Sequence, residues 1–190
     1  MAGITIRKAG EGDIPRITEI YADAVDHGTA TYELDAPGAE EMLERYRGLH
    51  AAGYPYLVAE EGERILAYAY AGPFRARPAY RFIVEDSIYV APEGKGRGIG
   101  KALLTALIDQ CKALGFRQFV AVIGDGGPDS ASVRLHERLG FDHCGVLRGS
   151  GYKHGRWLDT TFMQLEMNGG TSAPPDPQSL PERMFRGAKD

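Results

Sequence analysis

Residues 88–104 read Ile-Tyr-Val-Ala-Pro-Glu-Gly-Lys-Gly-Arg-Gly-Ile-Gly-Lys-Ala-Leu-Leu, a change of periodicity within one short segment. Ile88 and Val90 flank Tyr89 in strand-like alternation, and Ala91-Pro92 ends the pattern. Gly94, Gly96, Gly98 and Gly100 interleave with Lys95, Arg97 and then Lys101. Ala102, Leu103, Leu104 and Leu107 continue at helical spacing. A strand that feeds a glycine-rich basic loop at a helix N-terminus presents free backbone N–H groups and the positive end of the helix dipole to one spot. Glycine lets the backbone approach a phosphate with no Cβ in the way. The segment therefore predicts a phosphorylated ligand, against the alternative of a surface turn with solvated cations. A P-loop is excluded, because Gly100-Lys101 is followed by Ala102 rather than Ser or Thr. A dinucleotide fingerprint is excluded by register, since Gly96, Gly98 and Gly100 are each two apart, and by the mid-chain position.

At 190 residues the default is one domain with a real core. The formal net charge of −4 makes nucleic acid an unfavoured partner, so the basic cluster at Lys95, Arg97 and Lys101 reads as specific to a ligand. The two cysteines, Cys111 and Cys144, form neither a disulfide framework nor a zinc spacing. Their usage suits a reducing cytoplasm and implies no metal. No apolar stretch is long enough to span a membrane. The first residues read as a strand rather than a signal peptide.

Alternation and breakers give the order of elements. Ile4–Arg7 reads as a strand, and Asp13 as the cap of a helix carrying Ile14, Ile17, Ile20, Tyr21, Ala24 and Val25. Residues 39–49 form a second helix. Residues 56–60 and 64–73 pair around Glu61-Gly62-Glu63, and a basic connector over 74–79 leads to a long strand over 80–90. A helix over 98–114 ends at Gly115. Then follow a strand over 116–123, a helix over 130–139, and strands over 141–147 and 157–167. This is an α+β (α/β layered) pattern around one mostly antiparallel sheet. Residues 1–167 form the domain, and the Gly-, Pro- and Ser-rich residues 168–190 read as a C-terminal tail.

Lys95-Gly96-Arg97-Gly98-Ile99-Gly100 resembles the pyrophosphate loop of the GNAT acetyl-CoA-dependent N-acetyltransferases, (Arg/Gln)-x-x-Gly-x-(Gly/Ala), with Lys95 in the first place. VEDSIYVAP, GKGRGIGKALL, AVIGD, SVRLHERLGF and KHGRWLDTTFMQLEM together resemble the branch of phosphinothricin and methionine sulfoximine/sulfone N-acetyltransferases. The resemblance covers about residues 3 to 167. It implies a sheet of about seven strands splayed between the fourth and fifth and flanked by helices. It also implies acetyl-CoA as co-substrate, a small-molecule amine as acceptor, a homodimer, and no metal.

Amide formation needs a base to strip a proton from the amine. Glu85 is the candidate, among Ile83, Val84 and Ile88, which desolvate it. The other reading is a strand carboxylate satisfied by a basic neighbour. Asp86 points to the opposite sheet face and is the weaker candidate. By resemblance, backbone groups of Ile88, Tyr89 and Val90 hold the pantetheine as an added strand, and the amides of Lys95–Gly100 hold the pyrophosphate. His136 stands where many of these enzymes have a proton-donating tyrosine; it either donates to the thiolate or only packs beside it. Asp129 stands where the family often has Asn against the CoA arm, and it also suits a helix cap. His27, His50 and His143 have no such context. Arg75 and Arg81 match arginines that grip a substrate carboxylate, with Arg77 a competitor and solvated turn arginines the other reading. By the same resemblance, Thr31 and Tyr32 are expected to wall the acceptor pocket. Tyr32-Glu33 replaces the Phe-Arg of phosphinothricin-resistance enzymes, a charge reversal that favours the sulfoximine side. Acetylation of a protein N-terminus or a polyamine is an alternative, as is a non-catalytic acetyl-CoA sensor.

Overall fold

Gly62, in the left-handed region at φ 63°, lets Tyr56–Glu61 (β2) turn back as Arg64–Pro73 (β3) in an antiparallel hairpin. This is a computed structural model, and it describes residues 3–188. Ile4–Lys8 (β1) pairs outside β2, and Ile83–Val90 (β4) pairs antiparallel with β3. Gln118–Gly124 (β5) lies parallel to β4, the one parallel pair among the described residues. Asp142–Lys153 (β6) and Arg156–Glu166 (β7) complete a seven-stranded sheet in the order β1-β2-β3-β4-β5-β7-β6. The α+β expectation of a mostly antiparallel sheet splayed between its fourth and fifth strands holds.

Two helix layers cover the sheet, each driven by an apolar stripe. Ile14–His27 (α1) and Ala39–Ala51 (α2) bury Ile17, Ile20, Met42 and Tyr46 on one face. The tyrosines of that face form a continuous stack, with Tyr68 against Tyr89 at 5.2 Å and Tyr21 edge-on to Tyr89 at 4.9 Å. Ile99–Ala113 (α3) buries Ile99, Leu103, Leu104, Leu107 and Cys111 on the other face, against Leu57, Leu66 and Phe119. Ala131–Arg138 (α4) joins that layer through Val133 and His136.

Four local expectations change. The strand over 80–90 begins only at Ile83, because Pro78 starts a 3-10 turn over Pro78–Tyr80. β6 runs past Leu147 to Lys153, with bulges at His143/Gly145 and Leu147/Gly151. Asp13 does not cap α1 with its side chain, because a 3-10 turn over Glu11–Asp13 already places its backbone in the helical region. Its carboxylate instead accepts from the Gly10 N–H at 2.8 Å and pairs with Arg7 at 2.7 Å. Finally, the segment after Asn168 is anchored rather than loose. Leu180–Gly187 (α5) docks with its Leu180 N–H donating to the Leu114 carbonyl at 2.8 Å. The Leu180 side chain packs on the core beside Gly53. Leu180→Ala should lower the unfolding free energy by about 1–2 kcal/mol in chemical denaturation, as expected for losing part of a buried leucine. No change would mean that α5 adds nothing to stability.

Candidate active site

β4 and β5 are paired only from Ile83 to Glu85 against Gln118 to Val120. Beyond that point Asp86–Val90 keeps its ladder to β3, and Ala121–Gly124 keeps its ladder to β7. The strands part, and a cavity of about 1120 Å³ opens between them. Ile88, Tyr89 and Val90 line it from β4. Lys95, Gly96, Gly98, Ile99 and Gly100 line it from the glycine loop. Gly96 and Gly98 take φ of 75° and 77°, and Gly98 is the N-cap of α3 with no side chain to cap it. The first N–H groups of α3 are therefore left for a ligand. The fit to a phosphorylated pantetheine arm is direct: a helix N-terminus at one end, and unpaired strand edges along the wall.

Two basic residues of the loop lie outside the cavity wall. Arg97 pairs with Glu61 at 2.7 Å, and Lys101 is not among the lining residues. Asp129 lines the cavity but does not cap α4; the N-cap is Ser130, whose Oγ accepts from the Val133 N–H at 3.3 Å.

Glu85 is half-buried on the cavity wall. Its carboxyl is pushed up to about 7, first by burial and then by the Asp86 charge, while Arg75 pulls it back. That leaves a carboxyl close to neutrality at the mouth of the splay. Asp86 is aimed at the other helix layer by strand alternation. There its Oδ2 meets Nε2 of His136 at 3.2 Å, with both side chains buried. Strand alternation marks Asp86 as the weaker base candidate, and its partner His136 lies 50 residues away. Burial draws the His136 pKa down, but the Asp86 carboxylate and the Ser132 carbonyl outweigh it, and the net direction is up. His27, His50 and His143 are all exposed, and His50 also stacks on Tyr46 at 5.4 Å.

The loop after α1 closes one part of the cavity, where Thr31 and Tyr32 line it with Tyr21 and Tyr70. Thr31 Oγ1 sits 2.9 Å from the Tyr21 hydroxyl. The Tyr32 ring lies between Gly124 and Gly151, where an added Cβ would come within 2.7 Å and 2.6 Å of ring atoms. Its hydroxyl donates to the Asp159 carbonyl at 3.0 Å. Lys153, which sequence reasoning did not single out, is buried beneath this loop and donates to the Thr31 carbonyl at 2.9 Å. His154 donates to the Gly28 carbonyl at 3.1 Å, so the end of β6 and the turn after it hold the first residues of the loop.

Neither Arg75 nor Arg81 lines the cavity. Arg81 pairs with Glu182 of α5 at 3.1 Å, and its guanidinium lies 4.4 Å from the ring centres of both Phe82 and Phe185. Arg75 is exposed and reaches Glu85 through its charge alone. Among the described residues no group of His, Cys, Asp and Glu is arranged to hold a metal ion, and no helix is long and apolar enough to cross a membrane.

Known proteins share this arrangement. Residues 15–141 match the family model described as Acetyltransferase (GNAT) family. The chain is 45% identical over 172 residues to a phosphinothricin N-acetyltransferase of Alcaligenes faecalis, covering 90% of this chain and 87% of that one. It is 40% identical over 165 residues to an L-methionine sulfoximine/L-methionine sulfone acetyltransferase of Salmonella typhimurium, covering 87% and 95%. The crystal structure of a GNAT superfamily phosphinothricin acetyltransferase from Sinorhizobium meliloti, in complex with acetyl-CoA, superposes with a TM-score of 0.91. Its identity is 49%, over 96% of this chain and 97% of that one.

The Glu85 carboxyl should titrate near 7 in carbon NMR of the glutamate-labelled protein. Asp86→Asn should lower that midpoint by removing a neighbouring negative charge. A Glu85 midpoint at the ordinary glutamate value of about 4.3 would contradict the environment described.

Proposed function

Because the chain belongs to the GNAT acetyltransferase family, we propose that it transfers the acetyl group of acetyl-CoA to the primary amine of a small amino-acid analogue, of the methionine sulfoximine, methionine sulfone or phosphinothricin kind. Acetyl-CoA supplies the activated acetyl group as a thioester. The relatives named for those substrates, at 40% to 45% identity, support the acceptor class. The observation that carries the reading is Glu85, half-buried where β4 and β5 part, with its carboxyl pushed up to about 7.

In this reading Glu85 takes a proton from the acceptor amine. The free edge of β4 from Ile88 to Val90 accepts and donates hydrogen bonds along the pantetheine. The amides of Lys95–Gly100 hold the pyrophosphate, and Asp129 lies along the CoA arm. Arg97 and Lys101 add positive charge from outside the wall. Thr31 and Tyr32 shape the acceptor pocket. With Arg81 committed to Glu182, Arg75 is the nearer cation for a substrate carboxylate.

We place the protein in the cytoplasm, as a homodimer. The exposed Val146, Leu147, Tyr152 and Trp157 on the edge strand β6 and its neighbour β7 support the second point.

The reading is tested by thiol release from acetyl-CoA with methionine sulfoximine, methionine sulfone, phosphinothricin and a polyamine. Turnover with the amino-acid analogues is expected; turnover with the polyamine alone would overturn the acceptor class, and none with any amine would favour a sensor. Glu85→Gln should lower kcat by about 10²–10⁴-fold, the usual contribution of a positioned base. The base acts only when ionised, so wild-type kcat should fall as pH drops through about 7. Unchanged kcat in Glu85→Gln would remove Glu85 from the role.

A further inference from the structure

Residues 28–32 line the cavity, yet nothing local fixes their path. No helix or strand runs between His27 and Ala39. Among the described residues, 29–37 make no backbone-to-backbone hydrogen bond. A segment with no ladder of its own takes its shape from what packs on it. Here that is the open end of the β6–β7 hairpin. The Tyr32 hydroxyl donates to the Asp159 carbonyl and accepts from Thr160 Oγ1, both at 3.0 Å. The bonds from Tyr32 to Asp159 and from His154 to Gly28 are exposed, where water competes for the same groups. Lys153 differs. It is 4% exposed, and its bond to the Thr31 carbonyl is buried.

We propose that Lys153 is a positioning residue for acceptor binding: its buried amine holds the Thr31 carbonyl and so sets where the Thr31–Tyr32 wall stands against the acceptor. This rests on the acetyltransferase reading, in which that wall shapes the acceptor pocket, and deepens it by naming what sets the wall. Lys153 does not itself line the cavity, so it acts through Thr31 and not by touching the acceptor.

Thr31 is gripped from two sides. Its Oγ1 lies 2.9 Å from the Tyr21 hydroxyl of α1 and accepts the Glu33 N–H at 3.2 Å. Its carbonyl accepts from Lys153 at the end of β6 at 2.9 Å. The residue is thus pinned between a helix and a strand. With the carbonyl bond lost, the peptide that joins Thr31 to Tyr32 is free to turn, and the next side chain along the wall moves with it. A lysine is a costly way to fill this space. Burial draws its pKa down by disfavouring the charged form, while the Asp26 and Glu33 charges oppose that. An apolar side chain of similar length would occupy the site without that desolvation cost. What it could not do is donate to the Thr31 carbonyl. Lys8, Lys95, Lys101 and Lys112 are all exposed, so Lys153 is the exception among the described lysines.

The test is Lys153→Met in the full-length protein, which keeps the length of the side chain and removes the donor. The KM for methionine sulfoximine or methionine sulfone should rise by about ten- to a hundredfold, the scale of a small misplacement at a site. At saturating acceptor kcat should be nearly unchanged, and so should the KM for acetyl-CoA. In amide hydrogen exchange without ligand, residues 28–33 should exchange faster than in the wild type, with residues 86–100 unaltered. A lysine that only fills space would lower the active fraction instead, so a reduced kcat with both KM values unchanged would overturn the proposal. Unchanged exchange over residues 28–33 would overturn it too. If Lys153→Met fails to fold, Lys153→Gln takes its place. Its uncharged donor is one atom shorter and must draw the loop in or lose the bond, so the same rise in acceptor KM and the same altered exchange are expected, and neither appearing would overturn the proposal. If the wild type turns over no amine, the acetyltransferase reading fails, while exchange over residues 28–33 still decides whether Lys153 sets the loop.

Discussion

Strands β4 and β5 share a ladder only at Ile83, Val84 and Glu85, opposite Gln118, Phe119 and Val120. Past that point each strand is held from its far side alone, β4 by β3 and β5 by β7. The inner edges carry backbone N–H and C=O groups with no ladder partner. Such groups are costly when dry and must meet water or a ligand. The gap persists because the two antiparallel ladders and the helix layers fix both strands independently. It offers an amide-bearing chain the place of a missing strand. The glycine loop at its end offers a helix N-terminus to whatever phosphate that chain carries.

The same splay gives neighbouring carboxylates opposite environments. β4 alternates, so Glu85 and Asp86 face different layers. Glu85 looks toward the tyrosine-lined face, is half-buried, and feels Asp86 as a like charge. Asp86 looks toward α4 and meets an imidazole. Two neighbouring acids are thereby given different surroundings: the Glu85 carboxyl is pushed up to about 7, and Asp86 is held against His136. The part of the cavity lined by Thr31 and Tyr32 is built from a third source. The loop carrying Thr31 and Tyr32 has little structure of its own and is held by Lys153, His154 and Asp159.

Local patterns made the sheet, α1–α4 and the glycine loop legible, because alternation, helical stripes and breakers act over a few residues. Glu85 was legible for the same reason, its desolvating neighbours being adjacent in sequence. What escaped depended on distant partners. Asp86 acquires its place from His136, and Lys153 is buried by a loop 122 residues away. Arg81 reads as a free cation until α5 brings Glu182 and Phe185 to it. The composition of residues 168–190 hid α5, which is anchored by Leu180 on the core and by Glu182 and Phe185 on Arg81. Asp129 and Ser130 are both acceptable caps by residue type, and only the backbone geometry selects Ser130.

The central claim is that the splayed edge of β4 and the glycine loop form one binding surface for acetyl-CoA. Amide hydrogen exchange with and without acetyl-CoA tests it directly. Protection should concentrate over residues 86–100, with α5 and the outer strand β6 unchanged. Binding that leaves residues 86–100 unprotected, or that protects some other surface instead, would contradict the account.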